Sequence, residues 1–307
     1  MVLLDAYCPH MGTHLTKNTT SYVIQDGQIE GDSIRCPYHA WRFGPDGKCD
    51  HIPYYDGPIP KAAAVKSWPV REQMGIVWVW YDPEGKEPDY DPPYLKEWDD
   101  PQWVQWKLTD LGVIKTHGIE IVDNMADVAH QGPVHGQQVT YFENEFSGHI
   151  CRQKQGGNHR NLAADGNLLE TETWYTGPGI LLSHMTGGLD SYMLIAHTHS
   201  DDGEVHVWYG LLAKSNNKVA TADDVAMCRK YQEDSRIAFA QDFDVWENKE
   251  PAVNIMQIPS DGPYDKNRIW YKQFYNPRAM ARQFLDRVEG VHYTKGWNRK
   301  PEKQAAE

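Results

Sequence analysis

The chain reads as an α+β protein, with a small all-β domain over residues 1–82 and a larger domain over 101–297 that combines helix with antiparallel sheet. Three observations predict this. Turn-rich, strand-length segments surround two short loops, Cys8-Pro9-His10 and Cys36-Pro37-Tyr38-His39. Residues 83–100 are dense in Pro, Asp and Glu, the composition of a linker that crosses a surface. Beyond them, helical stretches alternate with runs in which apolar and polar residues take turns, the period of a half-covered sheet.

Composition narrows the class of partner. A net charge of −13 with no basic block argues against nucleic acid and anionic membrane. Five cysteines, Cys8, Cys36, Cys49, Cys151 and Cys228, have no disulfide-framework spacing and suit a reducing compartment. The longest apolar runs, such as Met74–Trp80, are strand length, and cytoplasmic is the default location.

Taken in order, MVLLDAYCPH begins with an apolar strand that enters the first loop almost at once. Residues 11–35 form a long gap between the loops. Asp26-Gly27 within it is a turn doublet between alternating residues and predicts an extended hairpin. Pro45-Asp46-Gly47 and HIPYYDGPIP read as loops, followed by strands at 65–70 and 75–81. The second domain should open with a strand over 103–108 and a helix from about Ile119. TETWYTGP, GILLSHM, YMLIAHTHS and EVHVWYGLLA alternate as antiparallel strands. Trp174, Tyr175, His184, His197 and His199 on them are candidate pocket residues, with core packing and satisfied polar positions as the plainer reading. Residues 222–248 predict a long helix opened by acids, with Val225, Cys228, Tyr231, Ile237, Phe239, Phe243 and Trp246 at helical spacing. The tail over 298–307 has the composition of a disordered segment.

Two constellations carry chemistry. Asp127, His130 and His135 read D-x-x-H-x-x-x-x-H. On an unbroken helix the two histidines lie too far round to share one ligand, but Gly132-Pro133 between them would end the helix and swing the second imidazole back. Two imidazoles with one distant carboxylate make the facial triad of non-haem Fe(II) enzymes, and Asp242 or Asp244 near the end of the long helix can complete it. Zinc, or two histidines on a polar helix, is the alternative. The paired loops Cys8/His10 and Cys36/His39 suit tetrahedral zinc. They suit equally a Rieske [2Fe–2S] centre, with thiolates on one iron and imidazoles on the other. An oxygenase using both sites, an electron carrier using only the first, and a zinc-stabilised binding protein are the competing classes.

The flanking residues favour the first. CPHMG, CPYHAWRFGPDGKC, DNMADVAH, TYFENEFSGH and QDFDVWENK resemble the Rieske non-haem iron oxygenases over residues 3 to 275. Within them the chain is most similar to the oxygenase component of 3-ketosteroid 9α-hydroxylase and to cholesterol 7-desaturases. The resemblance implies a Rieske [2Fe–2S] domain with ligands Cys8, His10, Cys36 and His39, followed by a catalytic domain with mononuclear Fe(II); the family's Rieske domains have further strands before the first loop, so a missing N-terminus is expected. His130, His135 and Asp242 would be the iron ligands, Asp242 being chosen by the family's QD-x-x-x-W pattern. It implies a ring-shaped homotrimer in which Asp127 bridges His39 of one subunit to His130 of the next, with Asn124 as a supporting neighbour. It also implies O2, an NADH-dependent ferredoxin-type reductase, and hydroxylation of a steroid or similar polycyclic apolar substrate. Sterol 7-desaturation, or attack on an aromatic non-steroid, is the alternative.

Overall fold

The computed structural model describes residues 1–17, 20–159 and 168–298. The chain divides into two units between Tyr94 and Leu95, inside the Pro-rich segment 83–100.

The first unit is built from strands of two to four residues: β1 (Leu3–Leu4), β2 (Ile29–Glu30), β3 (Ser33–Arg35), β4 (Arg42–Phe43), β5 (Cys49–His51), β6 (Ser67–Trp68), β7 (Val70–Gln73) and β8 (Ile76–Val79). Strands β2 to β5 form one antiparallel sheet, while β1 pairs with β6 and β7 with β8. Its core gathers Cys8, Leu15, Cys36, Phe43, Cys49, Ile52, Ala63 and Val65. The turn at Pro45-Asp46-Gly47 is present, and Gly47 sits at φ +78, where a Cβ would fall 2.0 Å from the Val65 carbonyl oxygen.

The hairpin expected at Asp26-Gly27 is not there. Helix α1 (Tyr22–Gln25) occupies that stretch, with Ser21 Oγ accepting from Val23 N at 3.2 Å. Asp26 caps its C-terminus and Gly27, at φ +98, turns the chain away. The hairpin turn comes later, at Gly31-Asp32 between β2 and β3.

The second unit is a nine-stranded antiparallel sheet with helices on one side. Its strands are β9 (Trp103–Val104), β10 (Thr109–Ile114), β11 (Gln137–Ser147), β12 (Ile150–His159), β13 (Leu169–Thr176), β14 (Ile180–Thr186), β15 (Ser191–Asp201), β16 (Glu204–Lys214) and β17 (Gly290–Asn298). The order is β10-β16-β15-β14-β13-β12-β11-β17, with β9 beside β16. The strand expected over 103–108 therefore stops at Val104 and restarts at Thr109. The four alternating runs are neighbouring strands in register, so Gln155 stands opposite Thr171 and Thr173 opposite Ser183.

Helix α3 (Ala222–Glu247) covers this sheet and begins at a capping box, in which Thr221 and Asp224 bond each other's backbone N–H. Cys228, Phe239, Asp242 and Trp246 are buried on its inner side, whereas Val225 and Ile237 are exposed. The helical periodicity of 239, 242 and 246 places Asp242 on the covered face; Asp244, two residues on, is exposed. No helix among the described residues is long and apolar enough to cross a membrane.

Candidate metal centres

In the first unit both loops are tied by backbone bonds. Cys8 N donates to Thr13 O at 2.8 Å and Cys36 N donates to Trp41 O at 2.8 Å. Both cysteines are buried, and the ring centroids of His10 and His39 lie 4.8 Å apart. Trp41 stacks on His10 at 4.2 Å and donates through Nε1 to Tyr54 Oη at 2.7 Å. The thiols interact with each other: the bond from Cys8 lowers Cys36, and the bond to Cys36 together with burial raises Cys8. His39 Nδ1 is buried without a hydrogen-bond partner among the described residues. Two adjacent sulfurs, one already biased to thiolate, and an unmet imidazole nitrogen are donors suited to a metal cluster.

The second group forms where the chain breaks its helix. Helix α2 (Gly118–Val122) starts on His117, whose Nδ1 accepts from Ile119 N at 3.1 Å, and runs into a 3-10 turn over Asp123–Ala126. The expected helix thus ends earlier than Pro133. Asp127 is extended, and its Oδ1 accepts from Ala129 N at 2.9 Å and His130 N at 3.2 Å, which starts a second 3-10 turn over Ala129–Gln131. After Gly132-Pro133 the chain folds back, and the His130 and His135 rings come to 5.2 Å and 78°. Asp242 of α3 closes the group, with ligand atoms of all three residues within 4.8 Å of one another.

The His135 and Asp242 side chains are held by hydrogen bonds from behind, and His130 through its backbone amide. His135 Nε2 lies 3.4 Å from Asp242 Oδ1, while its Nδ1 donates to Gln241 Oε1 at 3.2 Å. Asn124 Nδ2 donates to the other carboxylate oxygen of Asp242 at 3.0 Å. His130 Nδ1 is 3.2 Å from Asp127 Oδ2, off the line of a hydrogen bond and otherwise unpaired among the described residues. Its Nε2 accepts from Gln131 Nε2 at 3.1 Å, a contact that a bound metal would replace. Burial alone would lower the His135 imidazole, but the Asp242 carboxylate and Gln241 outweigh it and raise it. For Asp127 burial pulls upward and the neighbouring His130 and Tyr264 prevail, leaving the carboxyl below its ordinary range.

The trio borders a cavity of about 850 Å³, solvent at its mouth included. Leu169, Leu181, Met185, Met193, Ile195 and Trp246 supply apolar wall. Of the five strand residues considered for a pocket, none lines it. Tyr175 Oη and His197 Nε2 pair at 3.0 Å in the core, His184 bonds Asp190 at 2.9 Å, and His199 bonds Tyr275 at 2.9 Å. Trp174 lies under Arg152. Every residue named in advance for the two metal sites falls into one or other group. Gln241, Gln131 and the inward glutamines Gln137, Gln153 and Gln155 were missed; the alternation of Gln153 and Gln155 on one strand was the signal available for two of them.

A two-cysteine, two-histidine loop pair and a two-histidine, one-carboxylate trio over an apolar cavity define a Rieske-type non-haem iron oxygenase. Residues 1–69 match the Rieske [2Fe-2S] domain and residues 79–275 match the 3-ketosteroid 9alpha-hydroxylase C-terminal domain. An oxygenase component of 3-ketosteroid-9-alpha-monooxygenase from Rhodococcus rhodochrous is 30% identical over 99% of this chain and 83% of its own. Cholesterol 7-desaturase nvd of Xenopus laevis is 29% identical over 95% of this chain and 66% of its own. Pseudomonas putida CBB5 NdmA, solved with caffeine, shares the fold at a TM-score of 0.68 and 15% identity, covering 98% of this chain and 86% of that one. The chain belongs to the 3-ketosteroid 9α-hydroxylase family of Rieske oxygenases. It is an oxidoreductase, the oxygenase component of a monooxygenase with a Rieske cluster and a mononuclear iron.

Proposed function

We propose that this protein hydroxylates an unactivated ring C–H of a steroid or similar polycyclic apolar molecule. The cavity carries the reading: its apolar wall suits a fused-ring substrate, and His130, His135 and Asp242 line the same space. Cys8, His10, Cys36 and His39 hold the [2Fe–2S] group, and His130, His135 and Asp242 hold Fe(II). When bound, these groups supply single electrons and a site at which dioxygen is reduced.

The chain's own residues orient and connect. Asn124, Gln241 and Asp127 fix the three ligands from behind, which sets their direction before substrate arrives. Asp127 is 21% exposed on its side chain. In a homotrimer that surface would meet His39 of a neighbouring subunit and link the two metal sites. Electrons come from a reductase, here of the NADH-dependent ferredoxin type, and the enzyme works in the cytoplasm. The Rieske domain spans 1–82, the linker 83–100 and the catalytic domain 101–297.

The test is incubation of the metal-loaded, reductase-coupled protein with androstenedione and with cholesterol under labelled dioxygen. One labelled oxygen in a steroid product is the expected result. A new ring double bond without label would favour the second reading, 7-desaturation, which the desaturase relative supports. Turnover of a small aromatic acid or amine but of neither steroid would refute the substrate class.

A further inference from the structure

The polar side chains of the cavity fall into two sets. Some are matched within the protein: Thr173 Oγ1 and Ser183 Oγ bond at 2.7 Å, and Gln153 Nε2 donates to the carbonyls of Asn124 and Met125 at 3.4 and 3.3 Å. Others are not. Gln137 Nε2, Gln155 Oε1 and Thr171 Oγ1 line the same cavity and have no hydrogen-bond partner among the described residues. Their residues are 3%, 5% and 9% exposed. Buried polar atoms are nearly always paired, and leaving one unmet costs more than replacing it with an apolar group. Three unmet atoms in one cavity therefore point to a ligand that meets them.

Placement and chemistry narrow that ligand. Gln155 and Thr171 stand opposite each other on β12 and β13, so their side chains rise together from the sheet. Gln137 opens β11, two residues after His135. Gln155 presents an acceptor, Gln137 a donor, and the threonine hydroxyl serves as either. A substrate ketone can only accept, so it answers donors alone, whichever way the two amides are turned. A hydroxyl donates and accepts.

We infer that Gln155, Thr171 and Gln137 recognise a hydroxyl group on the substrate, with the apolar walls taking its ring system. This rests on the polycyclic-substrate reading above and deepens it: the preferred molecule is a hydroxysteroid whose hydroxyl meets this polar patch. A hydrogen bond that the ketone analogue cannot make favours the hydroxysteroid by the net worth of that bond.

The experiment is equilibrium binding to the metal-loaded protein, followed by quenching of tryptophan fluorescence, since Trp246 lines the cavity. The ligands are testosterone, dehydroepiandrosterone and androstenedione; each of the first two carries one hydroxyl where androstenedione has a ketone, at opposite ends. At least one hydroxysteroid should bind about three- to tenfold more tightly than androstenedione, the range for one neutral hydrogen bond. Gln155→Met and Thr171→Val should each abolish that preference, so that within each variant the hydroxysteroid and androstenedione bind within about twofold of one another. Thr171→Ser, which keeps the hydroxyl, should retain the preference. Binding of all three ligands with no hydroxyl preference, or equal weakening of all three by the substitutions, overturns the assignment alone. No binding of any of them by metal-loaded protein overturns the steroid reading and this assignment with it.

Discussion

Arg268 is the residue whose loss should expose how the metal-binding segment is anchored. It lies on α4 (Tyr264–Tyr271) and reaches two buried acids of the segment that leads to His130. Its Nη2 is 2.5 Å from Asp123 Oδ2 and 3.5 Å from Glu120 Oε1, and its Nε donates to Asp123 at 2.8 Å. Asn267 Nδ2 adds a bond to Asp123 at 3.1 Å, and Lys249 pairs with Glu120 at 2.5 Å. Burial raises the Asp123 carboxyl despite the guanidinium beside it. Arg268→Met would leave Asp123 a buried charge with only an amide partner, a loss of about 3–5 kcal/mol. Protonation caps the cost: neutralising a carboxyl of ordinary pKa near 3.9 at pH 7 takes about 4 kcal/mol. The sign follows from linkage. In the variant the folded pKa of Asp123 lies still further above its unfolded value, so stability is fullest below about pH 3.9 and is lost as pH rises through the folded pKa. The deficit should therefore be larger at pH 7 than at pH 5. Urea unfolding of wild type and variant at both values measures it, and Fe(II) content reports whether His130 has lost its place. A deficit under about 1 kcal/mol at pH 7, or one equal at both pH values, would refute the anchoring role.

Three further outcomes are expected. Gln241→Leu, which removes the acceptor for His135 Nδ1, should weaken mononuclear Fe(II) binding about 10- to 100-fold with the visible spectrum of the cluster unchanged, as read by iron titration. Asp127→Asn, whose side-chain oxygen can still accept from the Ala129 and His130 amides, should keep both metals and normal dithionite reduction of the cluster while turnover collapses; near wild-type turnover would remove Asp127 from the electron path. His197 is held neutral by burial, with His199 adding repulsion, and its pKa falls to about 3. Its contribution to stability is thus complete above about pH 6.5 and is lost as pH falls toward 3. His197→Gln should flatten the acid limb of unfolding free energy by up to about 1.4 kcal/mol per pH unit, and an unchanged slope would count against a buried neutral imidazole.

What was legible in the sequence was local. The Cys/His loops, the D-x-x-H-x-x-x-x-H segment and the long helix each announce themselves within a few residues, and the Gly132-Pro133 break correctly implied that His135 folds back. Asp242 over Asp244 is legible by resemblance and, once the helix is known, by its face. The failures are cases where two local rules competed. Asp26-Gly27 satisfied a hairpin rule, yet Ser21 capped a short helix that used the same glycine as its stop. The helix from Ile119 broke before its proline because the Asp127 side chain captured two backbone amides. The cavity was illegible for a different reason: its walls come from five strands and two separate helical segments, so no window of sequence contains it. Aromatic and histidine residues attracted attention there, whereas unremarkable glutamines and threonines face the space.

Those glutamines also explain how one strand serves both ends of the site. Gln153 holds the carbonyls of Asn124 and Met125, and Asn124 in turn holds Asp242, so β12 reaches the Asp242 carboxylate through two hydrogen bonds. Gln155, two residues along, points to the same side of the sheet and stays unmet. The period of a strand is what puts Gln153, tied to the Asn124 segment, and Gln155, unmet in the cavity, on one surface. A register slip of one residue in β12 would turn both outward and replace them with Lys154 and its neighbours. The pairing of Gln155 with Thr171 and of Gln153 with Thr173 guards against that slip, because it places polar groups opposite polar groups along the cavity floor. Support of the Asp242 carboxylate and the placing of Gln155 in the cavity are therefore set by the same strand register.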